Sequence, residues 1–243
     1  MTSRPDRSGS ARTARVPGQQ RRSGQPSALV YRGPASLPGC PEAVAALLRS
    51  SPWDFDVRYV GPKEEISLSP RALAGATLYA QPGGDDLDDG YRHLRRHRAA
   101  IRHFVRSGGR YLGFCLGGYL AGATPGFGLL PGDTDQYIAS VGAGVDTAGD
   151  TLVSVLWRNR PRTLYFQDGP YFLIRPDAES TVVATYPNGT IAALVTGFGS
   201  GRVGVVGPHP EATEDWYRDA GLPVPAPLGL DLGLDLLEAV MSS

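Results

Sequence analysis

Apolar residues in this chain come in short blocks, each closed by glycine, proline or charged residues. Ala28-Leu29-Val30-Tyr31 is an unbroken apolar run followed by a Gly-Pro turn. Residues 41–48 come next, with proline in the first turn of an expected helix. Residues 55–60 and 76–80 read as two further strands, the second ending in Gln81-Pro82-Gly83-Gly84. The Arg-rich stretch over residues 91–106 predicts one long helix ending at Ser107-Gly108-Gly109, since glycine suits a helix C-terminus. The strand at residues 110–114 follows. Strands alternating with helices predict a parallel sheet covered on both faces.

The second half changes character. Residues 151–157, 163–167, 181–186 and 191–196 are closely spaced strand-like runs. The turns Asn188-Gly189 and Gly199-Ser200-Gly201 predict antiparallel hairpins at one side of the sheet. Residues 202–206 return to the core and deliver Gly207-Pro208-His209-Pro210-Glu211. Residues 1–27 lack hydrophobic periodicity and are rich in Ser, Gly, Gln, Arg and Pro, so they predict a disordered basic tail ahead of a domain spanning residues 28–243. No internal repeat is present.

Composition narrows the class. At 243 residues, 41% hydrophobic and 20% charged, the chain is long and apolar enough to build one soluble core. The formal charge of zero hides a basic head, with Arg4, Arg7, Arg12, Arg15, Arg21 and Arg22 against Asp6. That head has no aromatic residues for base stacking, so no nucleic-acid partner is expected. No apolar run follows Arg21-Arg22, and none approaches the roughly 18 residues of a membrane span, so neither export nor membrane contact is expected and the location reads as cytoplasmic. Two cysteines, Cys40 and Cys115, are too few for a disulfide scaffold and are expected as reduced thiols.

The chemistry centres on Cys115. Gly113-Phe114-Cys115-Leu116-Gly117 has the form of a nucleophile elbow, with an apolar strand before it and the helix-like residues 116–123 behind. Glycines two places to either side relieve crowding at the bend, and a helix N-terminus favours thiolate. Taken alone, the same segment also fits a buried structural cysteine at a strand end. His209 lies between two prolines with Glu211 two residues on; at the same sheet edge it can take the thiol proton while Glu211 holds the imidazole. Gly83 and Gly84 follow a strand, and the amides of Gly84 and Leu116 suit an oxyanion hole. Asp168, Tyr171 and Phe172 are candidate pocket walls, and Cys40 is either a resolving thiol for Cys115 or an ordinary small residue. His93, His97 and His103 read as a solvated helix face, so no metal and no cofactor is expected. Asp85-Asp86 and Asp88-Asp89 are expected to cap or begin that helix.

Gln81-Pro82-Gly83-Gly84, residues 111–119, Asp168-Gly169-Pro170-Tyr171-Phe172 and Gly207-Pro208-His209-Pro210-Glu211 together resemble the biotin-protein ligase N-terminal domain family, within the class I glutamine amidotransferase-like superfamily. The resemblance spans residues 28–218 and implies an α/β, flavodoxin-like three-layer sandwich with a mainly parallel sheet and inserted antiparallel hairpins. It also implies that Cys115, His209 and Glu211 form the superfamily triad. The expected function is a cysteine-dependent hydrolase or amidotransferase-like enzyme acting on an amide-type carbonyl of a small molecule, with a synthetase partner in trans as one arrangement. The glycine- and arginine-rich loop of the ligase half is not found, so biotin ligation by this chain alone is not expected. Glutamine is one candidate substrate among several. A non-catalytic small-molecule binding domain and a thiol-redox or aldehyde-detoxifying PfpI-type protein stand as alternatives.

Overall fold

The computed structural model describes residues 24–242. Residues 1–23 of the expected basic tail lie outside the described residues, and the first strand begins at Ser27, one residue ahead of the expected boundary. In chain order the first half holds β1 (Ser27–Tyr31), α1 (Cys40–Ser50), β2 (Asp56–Val60), α2 (Pro70–Ala74), β3 (Leu78–Gln81), α3 (Leu87–Leu94), α4 (Arg98–Arg106), β4 (Arg110–Phe114) and α5 (Leu116–Ala121). The second holds β5 (Gly132–Gln136), β6 (Thr151–Trp157), β7 (Arg160–Phe166), β8 (Pro170–Ile174), β9 (Ser180–Thr185), β10 (Ile191–Phe198), β11 (Gly201–Val206), α6 (Glu214–Asp219) and α7 (Leu230–Met241).

The sheet runs β2-β1-β3-β4-β11-β10-β9-β6-β7. From β2 to β11 every neighbour is parallel; from β10 onward the pairing is antiparallel, as the hairpin turns predict. β5 pairs with β8, which touches β10 at Ile191 and Phe172. The inner parallel strands β1, β3 and β4 read as nearly continuous apolar runs because both of their faces are covered, whereas β2 at the sheet edge carries Asp56 and Arg58 and is only partly buried. In β1, Ala28 and Val30 pack with the residues of α1 and α7, whereas Leu29 and Tyr31 pack with those of α3, α4 and α5. This α/β arrangement of helices on both faces of a mainly parallel sheet is the expected three-layer, flavodoxin-like sandwich.

Two helices depart from expectation. The Arg-rich helix begins earlier, at Leu87, where the Asp86 side chain accepts a hydrogen bond from the Asp89 amide at 2.8 Å and caps the end. It is also broken, because Arg95–His97 tightens into a 3-10 turn with no buried member, leaving no packing to hold regular α geometry there. Beyond the break, Arg98 and Arg102 donate to the carbonyls of Gly126 and Phe127 at 2.9 and 2.6 Å, fastening α4 to the loop after α5. The helix after Cys115 ends at Ala121, two residues early.

Candidate active site

Neighbouring parallel strands β1, β3, β4 and β11 end at one edge, and each contributes to a single cluster. The connection after β1 delivers Cys40 at the start of α1, β3 delivers Gly83 and Gly84, β4 delivers Cys115, and β11 delivers His209 and Glu211. The carboxyl ends of parallel strands are where open α/β sheets hold their ligands.

Cys115 sits in the turn from β4 to α5 with φ 48° and ψ −108°, a left-handed conformation that a side-chain-bearing residue rarely adopts. Its amide donates to the Val206 carbonyl at 2.9 Å, and its Sγ lies 3.5 Å from the Gln167 carbonyl oxygen. The flanking glycines are required by contact. A Cβ on Gly113 would lie 2.4 Å from the Gly117 oxygen, and one on Gly117 would lie 2.0 Å from the Gln81 oxygen. The elbow is braced by the Tyr111 hydroxyl, which donates to the Gly117 carbonyl at 2.7 Å.

His209 is buried, with Nδ1 2.8 Å from Glu211 Oε1. This leaves the other ring nitrogen for the Cys115 thiol, which stands within hydrogen-bonding reach of the ring. The backbone fixes the position, since the His209 amide donates to the Tyr165 carbonyl at 2.9 Å in a β-bridge. The imidazole is boxed edge-to-face by Tyr165 and Trp216, with ring centroids 5.9 and 5.3 Å away. Burial alone would push the imidazole pKa down, but the negative charges of Glu211 and Cys115 overcome it and hold the pKa up, at about 10. Glu211 is itself buried, and its Oε2 has no hydrogen-bond partner among the described residues.

Two cavities flank this cluster and share Gly84 and Gln167 as walls. The first, about 450 Å³, opens on Cys115 and is lined by Leu116, Tyr119, Asp135 and Asp168. Asp168 is held there by Gln136 Nε2, which donates to both carboxylate oxygens at 2.8 and 2.9 Å, and burial raises its pKa. The second, about 690 Å³, is lined by Cys40, His209, Tyr165 and Trp216.

Of the residues singled out in the sequence, Cys115, His209, Glu211, Gly84, Leu116 and Asp168 meet in or beside these cavities. Gly83 stands behind the imidazole, where an added Cβ would lie 2.7 Å from His209 Cε1 and 3.3 Å from Cys40 Sγ. Tyr171 is one step removed, with its phenol against Asp135. Cys40 is buried next to His209 and Glu211, and burial together with Glu211 raises its thiol pKa strongly. Gln136, Tyr165 and Trp216 reach the site by tertiary contact, and no local motif marks them.

Residues 27–135 match the family described as Biotin-protein ligase, N terminal. The match ends ahead of Asp168, His209 and Glu211. No curated protein matches the sequence. Among solved structures, one described as the structure of PurLQS from Thermotoga maritima superposes with a TM-score of 0.55 at 19% identity, covering 86% of this chain and 97% of that one. A crystal structure of a glutamine amidotransferase superposes with a TM-score of 0.56 at 15% identity, covering 81% and 99%. At these identities the likeness is one of fold. Residues 27–135 are thus similar to the biotin-protein ligase N-terminal family, and the chain shares its fold with a glutamine amidotransferase.

Proposed function

We propose that this protein is a cysteine-dependent hydrolase or amidotransferase-like enzyme that attacks an amide-type carbonyl of a small molecule, with residues 28–243 acting as one unit. The observation that carries the reading is the buried 2.8 Å pair of His209 and Glu211 beside a thiol held at a left-handed elbow. His209 takes the proton of Cys115, and the Sγ attacks the carbonyl carbon. The amides of Gly84 and Leu116 receive the oxyanion, the latter as an unpaired first-turn N-H of α5. His209 then protonates the leaving nitrogen as the C–N bond breaks, and water resolves the thioester by the same route in reverse. Glu211 keeps one tautomer in place and stabilises the imidazolium.

Iodoacetamide labelling tests this assignment. Cys115 is expected to label fast at neutral pH, and His209→Ala is expected to slow it about 100-fold, the range of one general base. Equal labelling of the two proteins, read by mass spectrometry, overturns the triad and leaves a binding module.

A further inference from the structure

The second cavity is larger than the one that opens on Cys115, and the reaction just described makes no use of it. Its walls are chemically distinctive. Tyr165 and Trp216 stand edge-to-face at 5.4 Å, and both close on His209. No lysine or arginine is among its lining residues, whereas Glu42, Asp150, Asp215 and Asp219 are. Glu42 faces Arg32 at 3.1 Å and Asp215 faces Arg218 at 3.8 Å, so the charge offered to a ligand rests on Asp219 and on Asp150, which also accepts a hydrogen bond from the Tyr165 hydroxyl. An aromatic corner rimmed by carboxylates is complementary to an organic cation, which gains from ring faces and from the acids together. The His209–Glu211 pair is neutral overall when the imidazole is charged, so it does not repel such a ligand.

The position of this cavity gives the cation a role. Gly84 and Gln167 line both cavities, and Gly84 is also the oxyanion donor of the reading above. The two cavities therefore adjoin at Gly84 and Gln167, and a group seated against His209 in the second stands beside the Cys115 sulfur that interacts with the same ring. We propose that the second cavity binds a primary alkylammonium or arylalkylammonium ion and presents it as the acyl acceptor, which makes the enzyme a transferase with donor and acceptor in adjoining cavities that meet at Gly84 and Gln167. This rests on the thioester reading. The bound ammonium first loses one proton to solvent at the open rim. Its nitrogen then forms a C–N bond to the thioester carbon and the C–S bond breaks. His209 takes the second proton from nitrogen and returns it to the departing sulfur, so that thioester and amine become amide and thiol with no other reactant.

The test has two arms on the full chain. In the first, benzyltrimethylammonium, which cannot be acylated, is titrated against protein with ¹⁵N-labelled indoles, the Trp216 signal being assigned with Trp216→Phe. The expected result is a shift of the Trp216 signal and not of Trp53 or Trp157, weakened roughly fivefold in Asp150→Asn/Asp219→Asn, the scale of one lost cation contact. An equal response to benzyl alcohol overturns the cation site, because an apolar pocket alone would give it. In the second arm, Cys115 is acylated with an activated ester and supplied with benzylamine. The N-benzyl amide is expected beside the free acid, with its share reduced by the double variant. Free acid without amide overturns the acceptor role and leaves hydrolysis standing. Failure to acylate Cys115 at all overturns the thioester reading and transfer with it, a result distinguishable because the indole titration does not depend on Cys115.

Discussion

At Gly83 one methyl group decides whether His209 keeps its place. A Cβ there would lie 2.7 Å from the imidazole Cε1, and with Tyr165 and Trp216 packed edge-to-face on the ring, it can give way only by turning out of its orientation toward Cys115. Gly83→Ala is therefore expected to slow iodoacetamide labelling of Cys115 about tenfold while the urea midpoint moves little, since the obstacle is a side chain that yields by rotating out of position. Gly117→Ala is a contrasting case. Its Cβ would meet the Gln81 carbonyl at 2.0 Å, and backbone does not yield, so the cost appears as stability, about 1–3 kcal/mol or more in urea denaturation. This division explains what was legible in the sequence. Cys115 with Gly113 and Gly117, and His209 with Glu211, announce themselves because the strain and the hydrogen bond that define them are local in the chain. Tyr165 and Trp216 do not, because β7 and α6 bring them to His209 only once the sheet has formed.

The elements divide along similar lines. β1, β3 and β4 are readable because strands buried on both faces must be apolar at nearly every position. The hairpins of β9, β10 and β11 are readable because their turns need the positive φ of Gly189 and Gly199. β5, with the sequence Gly-Asp-Thr-Asp-Gln, carries no strand signal of its own and owes its conformation to pairing with β8. α2 is too short to show a period. α7 carries no chemical motif, yet it packs on one face of the sheet. Leu236 and Val240 are fully buried, and a Cβ on Gly204 of β11 would lie 2.1 Å from Val240 Cγ2, so the bare glycine strand lets the helix sit directly on the sheet beneath the His209 strand. Leu236→Ala is accordingly expected to cost about 2–4 kcal/mol in urea denaturation, the range for a buried leucine whose surroundings collapse only in part. A loss under about 0.5 kcal/mol would show that α7 is not part of the cooperative core.

Across the whole molecule, the parallel sheet gathers groups from distant parts of the chain onto one edge and buries a charged pair there, which ties global stability to pH. His209 has an ordinary pKa of 6.5, and in the folded protein burial lowers it while Glu211 and Cys115 raise it further, to about 10. A base whose folded pKa lies above its unfolded pKa binds its proton more tightly in the folded state. Its stabilising contribution is therefore complete below about pH 6.5, declines as pH rises from there, and is gone above about pH 10. In Glu211→Gln the shape remains but the carboxylate charge is lost, so burial is opposed only by Cys115 and the folded pKa falls. That variant gains less from protonation, and its stability depends less on pH through this histidine. The stability gap between wild type and Glu211→Gln, measured by urea denaturation across pH 6 to 10, is thus expected to be widest at the acid end and to close toward the alkaline end. A gap independent of pH would mean that Glu211 supports the fold without charging His209, and the imidazolium that the triad chemistry requires would then lack its stabilising partner.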